Sequence, residues 1–123
     1  MKLHLSRSAN TYLIFGYGRD HLLINGVRYE SSLIILPDEV VPGWASNFDQ
    51  LSSTHFDAIA MRAPEIVLLG SGATLHFPSP AIYASLIKAH VGVEVMDTAA
   101  ACRTYNILAA EGRRVAAALI LES

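Results

Sequence analysis

Two short apolar runs in the second half of the chain are each followed by residues that bind ligands in other proteins. Gly70-Ser71-Gly72 follows Ile66-Val67-Leu68-Leu69, and Asp97-Thr98 follows Val93-Glu94-Val95-Met96. If the runs are neighbouring parallel strands, both loops open at one carboxyl edge, where open α/β sheets bind ligands. A helix starting at Thr98 would aim N–H groups and a positive dipole end into that crevice, and the glycines would allow close backbone approach. Gly70, Ser71, Gly72, Asp97 and Thr98 are thus a candidate site for a small anion or carboxylate. His76 lies in the loop beside it and has the chemistry of an acid or base. Cys102 falls in the first turns of the same helix, with Arg103 adjacent; if exposed, its thiol pKa would be lowered. Each of these residues also has a purely structural role open to it. The glycines serve the turn, Asp97 caps the helix, His76 is a loop histidine and Cys102 is a small buried side chain.

Stronger motifs are excluded residue by residue. A dinucleotide fingerprint needs a third glycine where Leu75 stands, no lysine follows the glycines as a phosphate loop requires, and a hydrolase elbow needs glycines where Leu69 and Ala73 stand. His4, His21, His55, His76 and His90 contain no pair at metal-ligand spacing, so neither a metal nor a cofactor is expected. Glu94 and Asp97, three apart at a strand end, point to opposite sides and make no carboxylate pair. No catalytic residue is assigned.

The elements that must position these residues alternate. A strand over 66–69 leads through a loop to a helix capped by Ser79, with Pro80 at its first position and Ile82, Leu86 and Ala89 on one face. Gly92 ends that unit. The strand 93–96 leads to a helix from Asp97 or Thr98 to about Glu111, with Gly112 as its left-handed stop, and Val115–Leu121 is the last strand. On a helical wheel Ala101, Thr104, Tyr105 and Leu108 form the core arc, with Cys102 at its border. This is βαβαβ spacing, and right-handed crossovers make its first two strands parallel.

The first half reads as strand and turn. Asn25-Gly26, between Leu23-Ile24 and Val27-Arg28-Tyr29, is the two-residue signal for a type I′ hairpin. Ser32–Leu36 is a strand ended by Pro37. From Pro37 to Ser53 periodicity is lost, and the reading is a loop of about fifteen residues carrying Val40, Val41, Trp44 and Phe48. Those four side chains are either a surface for a partner chain or a loop folded onto its own core. A short helix capped by Ser53 or Thr54, with Phe56, Ile59, Ala60 and Ala63 on one face, stops at Pro64.

Composition sets the outer limits. The chain has 123 residues, 52% hydrophobic and 16% charged, with net charge −2. That suits one globular α/β domain and argues against nucleic acid as a partner. The start, Met1–Ser8, does not read as a secretory signal, no apolar run approaches the ~20 residues of a membrane span, and a single cysteine suits a reducing compartment, so a cytoplasmic location is expected.

The C-terminal run Val93-Glu94-Val95-Met96-Asp97-Thr98-Ala99-Ala100-Ala101-Cys102-Arg103-Thr104-Tyr105-Asn106-Ile107-Leu108, followed by Glu111-Gly112-Arg113-Arg114-Val115, resembles the Mth-like domain family. Leu68-Leu69-Gly70-Ser71-Gly72, Phe77-Pro78, Ile24-Asn25-Gly26 and Ser32-Leu33-Ile34 extend the likeness over the whole chain, although Thr is commoner in the family at Ser71. That family includes a mitochondrial respiratory complex I assembly factor and an adipogenesis-associated protein. The resemblance implies a single three-layer α/β domain over residues 1–123, built on a mixed sheet, with a hairpin region before the βαβαβ unit. It implies no agreed catalytic residue and no cofactor. The expectation is a non-enzymatic interaction module with a protein partner, a complex I assembly component or a second copy of the chain. A small-ligand site or enzyme in the crevice, with His76 and Cys102 as its reactive groups, is the alternative.

Overall fold

The computed structural model describes residues 11–122; His4 and the Met1–Ser8 start lie outside them. Strands β1 (Ile14–Tyr17), β2 (Leu22–Ile24) and β3 (Val27–Tyr29) form a small antiparallel meander. Strands β4 (Ser32–Leu36), β5 (Glu39–Ala45), β6 (Ile66–Gly70), β7 (Gly92–Met96) and β8 (Val115–Leu119) form a mixed sheet in the order β5-β4-β8-β6-β7. Strand β6 runs parallel to both β7 and β8, while β4 is antiparallel to β5 and β8. Helices α1 (Ser53–Ala60), α2 (Ala84–Lys88) and α3 (Thr98–Ala110) complete the domain.

Successive strand residues face opposite sides of a sheet, and the two cores divide accordingly. Leu33, Ile35, Leu68, Ala117 and Leu119 pack with Ala101, Cys102 and Tyr105 of α3 and with Ile14, Leu22 and Ile24 of the small sheet. Ile34, Leu36, Val67, Leu69, Ala116 and Ala118 pack on the other side with Trp44, Phe56, Ile59 and Leu86. Three layers result. Strands β4 and β8 are buried along their whole length. Covered on both faces, they read as continuous apolar runs and not as alternating ones.

The Asn25-Gly26 turn is as expected: φ is 46° and 86°, and Ile24 pairs with Val27. The last strand ends at Leu119 and not at Leu121, and three larger expectations fail. The stretch 37–53 is not one long loop, because β5 pairs with β4 from Leu36↔Glu39 onward, and a short 3₁₀ turn follows at Phe48–Gln50. Pro42 and Gly43 mask the strand pattern. A missing N–H is tolerated at a sheet edge, and Gly43, at φ 69°, accompanies a register shift. Helix α1 is capped one residue earlier than expected, at Ser52, whose N–H donates to His55 Nδ1 at 3.1 Å; it ends before Ala63, which sits at φ 50°. The segment after Ser79 begins as a 3₁₀ turn, Pro80–Tyr83, before the five residues of α2.

Candidate functional site

Strands β6 and β7 are parallel neighbours in register from Ile66↔Gly92 to Gly70↔Met96, so the Gly70–Gly72 loop and the start of α3 meet at one edge as expected. They meet too closely to leave a hollow. A Cβ on Gly70 would lie 2.9 Å from Thr98 Cα. Thr98 N–H donates to the Gly72 carbonyl at 2.9 Å, and Gly72 N–H donates to Thr98 Oγ1. That hydroxyl in turn donates to the Ile120 carbonyl at 2.8 Å. Asp97 caps the helix, accepting from Ala100 N–H at 2.9 Å. Of the donors at this terminus, Thr98 N–H is bonded to the chain's own loop and Ala100 N–H to the cap.

The loop also binds a carboxylate of its own. Ala73 N–H donates to Glu122 Oε2 at 2.9 Å, Arg19 donates to Glu122 Oε1 at 3.1 Å, and Glu122 N–H donates to the Arg19 carbonyl. The Ala73 N–H foremost, then the Arg19 guanidinium, hold the Glu122 carboxyl below its usual pKa. Gly72, at φ 121°, lies directly against this carboxylate, so any side chain there would displace it.

Cys102 is fully buried within the core beneath the small sheet. Burial pushes its thiol up to about 12, against the smaller opposing pull of Arg103. The wheel placed Cys102 at the border; the buried face of α3 is instead Thr98, Ala101, Cys102, Tyr105 and Ala109, with Thr104 and Leu108 only half-buried. The reason is β1, which covers that flank. Asn106 Nδ2 donates to the Ile14 carbonyl at 2.6 Å and its Oδ1 accepts from Ile14 N–H at 2.8 Å, while Tyr105 Oη donates to the Tyr12 carbonyl at 2.7 Å.

An open space does lie at this edge, on the other side of Ser71. A cleft of about 500 Å³ is bounded by Ser46, Asn47, Phe48, Asp49, Ser71, His76 and residues 120–122 just past the end of β8. Ser71 is buried, and its hydroxyl donates to the Thr74 carbonyl and accepts from His76 N–H, which folds the His76 loop against the cleft. The His76 ring is exposed, with Nε2 3.0 Å from Thr74 Oγ1 and its centroid 5.5 Å from that of Phe48. Of the expected ligand set, then, Ser71 and His76 line the cleft, Gly70, Gly72, Asp97 and Thr98 form the closed junction beside it, and Cys102 is in the core. Asp49 and Glu122 were missed. Asp49 sits in the stretch read as irregular, and Glu122 carries no signal beyond being the first charge after an apolar strand.

The four residues expected to meet a partner are packed largely on the domain itself. Trp44 is buried, its Nε1–H donating to the His55 carbonyl at 2.9 Å and its ring edge-on to Phe56. Val40 and Val41 are half-buried on opposite faces of β5. Phe48 is half-buried at the cleft. Exposed apolar surface lies elsewhere, at Leu75 and Phe77 flanking His76 and at Phe15, Val27 and Ile107. Among the described residues, no group of His, Cys, Asp and Glu is placed to hold a metal ion, and no helix is long and apolar enough to cross a membrane.

Residues 14–120 match the model of a family described as "Protein of unknown function (DUF498/DUF598)". The chain belongs to the DUF498 family. This DUF498 chain is 32% identical over 109 residues to the Bos taurus protein named NADH dehydrogenase (ubiquinone) 1 alpha subcomplex assembly factor 3, a match covering 87% of the chain and 59% of that relative. It thus spans about three-fifths of the assembly factor's length. Among solved structures, a Bordetella parapertussis crystal structure superposes with a TM-score of 0.83 at 36% identity, covering 91% of this chain and 97% of the other. A Bordetella pertussis solution structure described as a Mth938-like domain gives 0.79 at 30% identity, covering 89% and 85%. The three-layer mixed-sheet fold is that of these neighbours, and the family likeness read in the C-terminal run holds.

Proposed function

We propose that this DUF498 chain is a non-enzymatic interaction module acting in the cytoplasm in the assembly of a respiratory NADH dehydrogenase. The observation that carries the reading is the 32% identity over 109 residues to a protein named as an assembly factor for that enzyme. The geometry supports its non-enzymatic part. Thr98 N–H and Ala100 N–H at the helix start are bonded to the chain itself, and the single thiol is buried with its pKa raised. The contact surface on this reading includes Phe48, together with the exposed Leu75 and Phe77, which flank His76 in the chain. Trp44, Val40 and Val41 contribute by holding β5 and the following turn in place. Affinity capture of the tagged chain after in-cell crosslinking tests the proposal. Recovery of NADH dehydrogenase subunits, reduced by Phe77→Asp, is expected; their absence after crosslinking overturns it.

The cleft favours a second reading, a small polar ligand held among Ser71, His76, Asp49 and Phe48. Its volume of about 500 Å³ lies within the usual range of ligand pockets. Amide chemical-shift mapping against a small-molecule library is the test. Shifts concentrated at these residues and lost in His76→Ala support a ligand site, and an unresponsive cleft rejects it.

A further inference from the structure

We propose that Asn25-Gly26 is a self-modification site, a spontaneous deamidation whose rate is held down by the hydrogen bonds that lace residues 11–14 to the rest of the domain. Both residues are exposed, and apart from its chain neighbours nothing lies within 4 Å of where a Gly26 Cβ would sit, so the turn is open to solvent. In the reaction the Gly26 nitrogen, having given its proton to water or hydroxide, attacks Asn25 Cγ. The Cγ–Nδ2 bond breaks, the departing nitrogen takes a proton from water and leaves as ammonia, and a succinimide forms. Water then opens it at Cγ to give aspartate, or at the backbone carbonyl to give isoaspartate, whose main chain passes through Cγ.

The native fold opposes the first step. Asn25 Oδ1 accepts from Leu13 N–H at 2.9 Å, and Nδ2 donates to the Thr11 carbonyl at 3.2 Å, so Cγ is tied toward the preceding segment. That segment is itself anchored by bonds remote from the turn. Tyr12 N–H donates to the Pro37 carbonyl, Tyr105 Oη donates to the Tyr12 carbonyl, and the Asn106 amide holds both backbone groups of Ile14. Attack requires Asn25 to release both of its bonds while these anchors keep its partners in place. The products are also disfavoured. Aspartate would set a carboxylate oxygen against the Thr11 carbonyl, and isoaspartate would lengthen a two-residue turn whose register is set at Ile24↔Val27.

The test incubates the whole chain at mildly alkaline pH, folded or in guanidinium chloride, and reads conversion at Asn25 by peptide mass spectrometry. With two bonds to release, folded protein is expected to convert roughly tenfold or more slowly than unfolded. Tyr105→Phe and Asn106→Ala, which loosen residues 11–14 without touching the turn, should each accelerate the folded reaction. Phe56→Leu, a destabilising change on the opposite sheet face, should not do so at matched stability. Equal rates folded and unfolded overturn the proposal. So does acceleration that follows global stability alike in all three variants.

Discussion

Ser71 belongs to two regions at one sheet edge, and their fates differ. On the side toward α3, the 70–72 loop and the helix start are joined by reciprocal hydrogen bonds through Thr98, with no room for a Cβ at Gly70. On the side toward Phe48 and His76, a cleft of about 500 Å³ stays open. Glycines beside a helix N-terminus therefore have two physical meanings. They admit a ligand's charge, or they let a helix sit directly on a strand end, and here the second applies. Substitutions on the closed side should be read out as stability, and those on the open side as binding.

The largest contrast is chemical. With Cys102 fully buried, labelling by a thiol reagent at neutral pH requires unfolding, so the folded chain should react about a thousandfold or more slowly than the unfolded one. Because the folded thiol pKa is raised to about 12 from 9.0, its effect on stability is nil at neutral pH and becomes a loss as pH rises above 9, where only the unfolded state ionises. Fast neutral labelling would break the comparison. Thr98→Val comes next. It leaves the buried Gly72 N–H and Ile120 carbonyl without their shared partner and should cost about 2–4 kcal/mol in denaturant titration. Asp97→Ala removes a helix cap and should cost about 1 kcal/mol with little change elsewhere. His76→Ala, on the open side, should change the melting midpoint least, within about 0.5 kcal/mol. A His76 variant as damaging as the Thr98 one would erase the distinction between the two sides.

The βαβαβ half was legible because its apolar runs, caps and stops are local signals. Asp97 as cap, Gly112 in the left-handed conformation and the Asn25-Gly26 turn depend only on neighbouring residues and appear as expected. Strand β5 was not legible. Its defining property is that it borders β4 on one side only, which makes Pro42 harmless, and no local pattern reports which strand lies at an edge. The burial of Cys102 was hidden for a similar reason. The flank of α3 that covers it is closed by β1, through bonds from Asn106 and Tyr105 to residues more than ninety positions earlier.

The amino-acid sequence alone determined the alternation of strands and helices in the second half, though not the 3₁₀ start of the segment after Ser79, together with the hairpin turn and the family. Each rests on side-chain period, capping chemistry or motif, which act over a few residues. Tertiary structure decided whether the crevice is a binding site, because that depends on angstrom-scale approach between segments distant in sequence. Glu122 reaches Ala73 and Arg19, and Thr98 reaches Gly72 and Ile120, only once the sheet has brought their strands together.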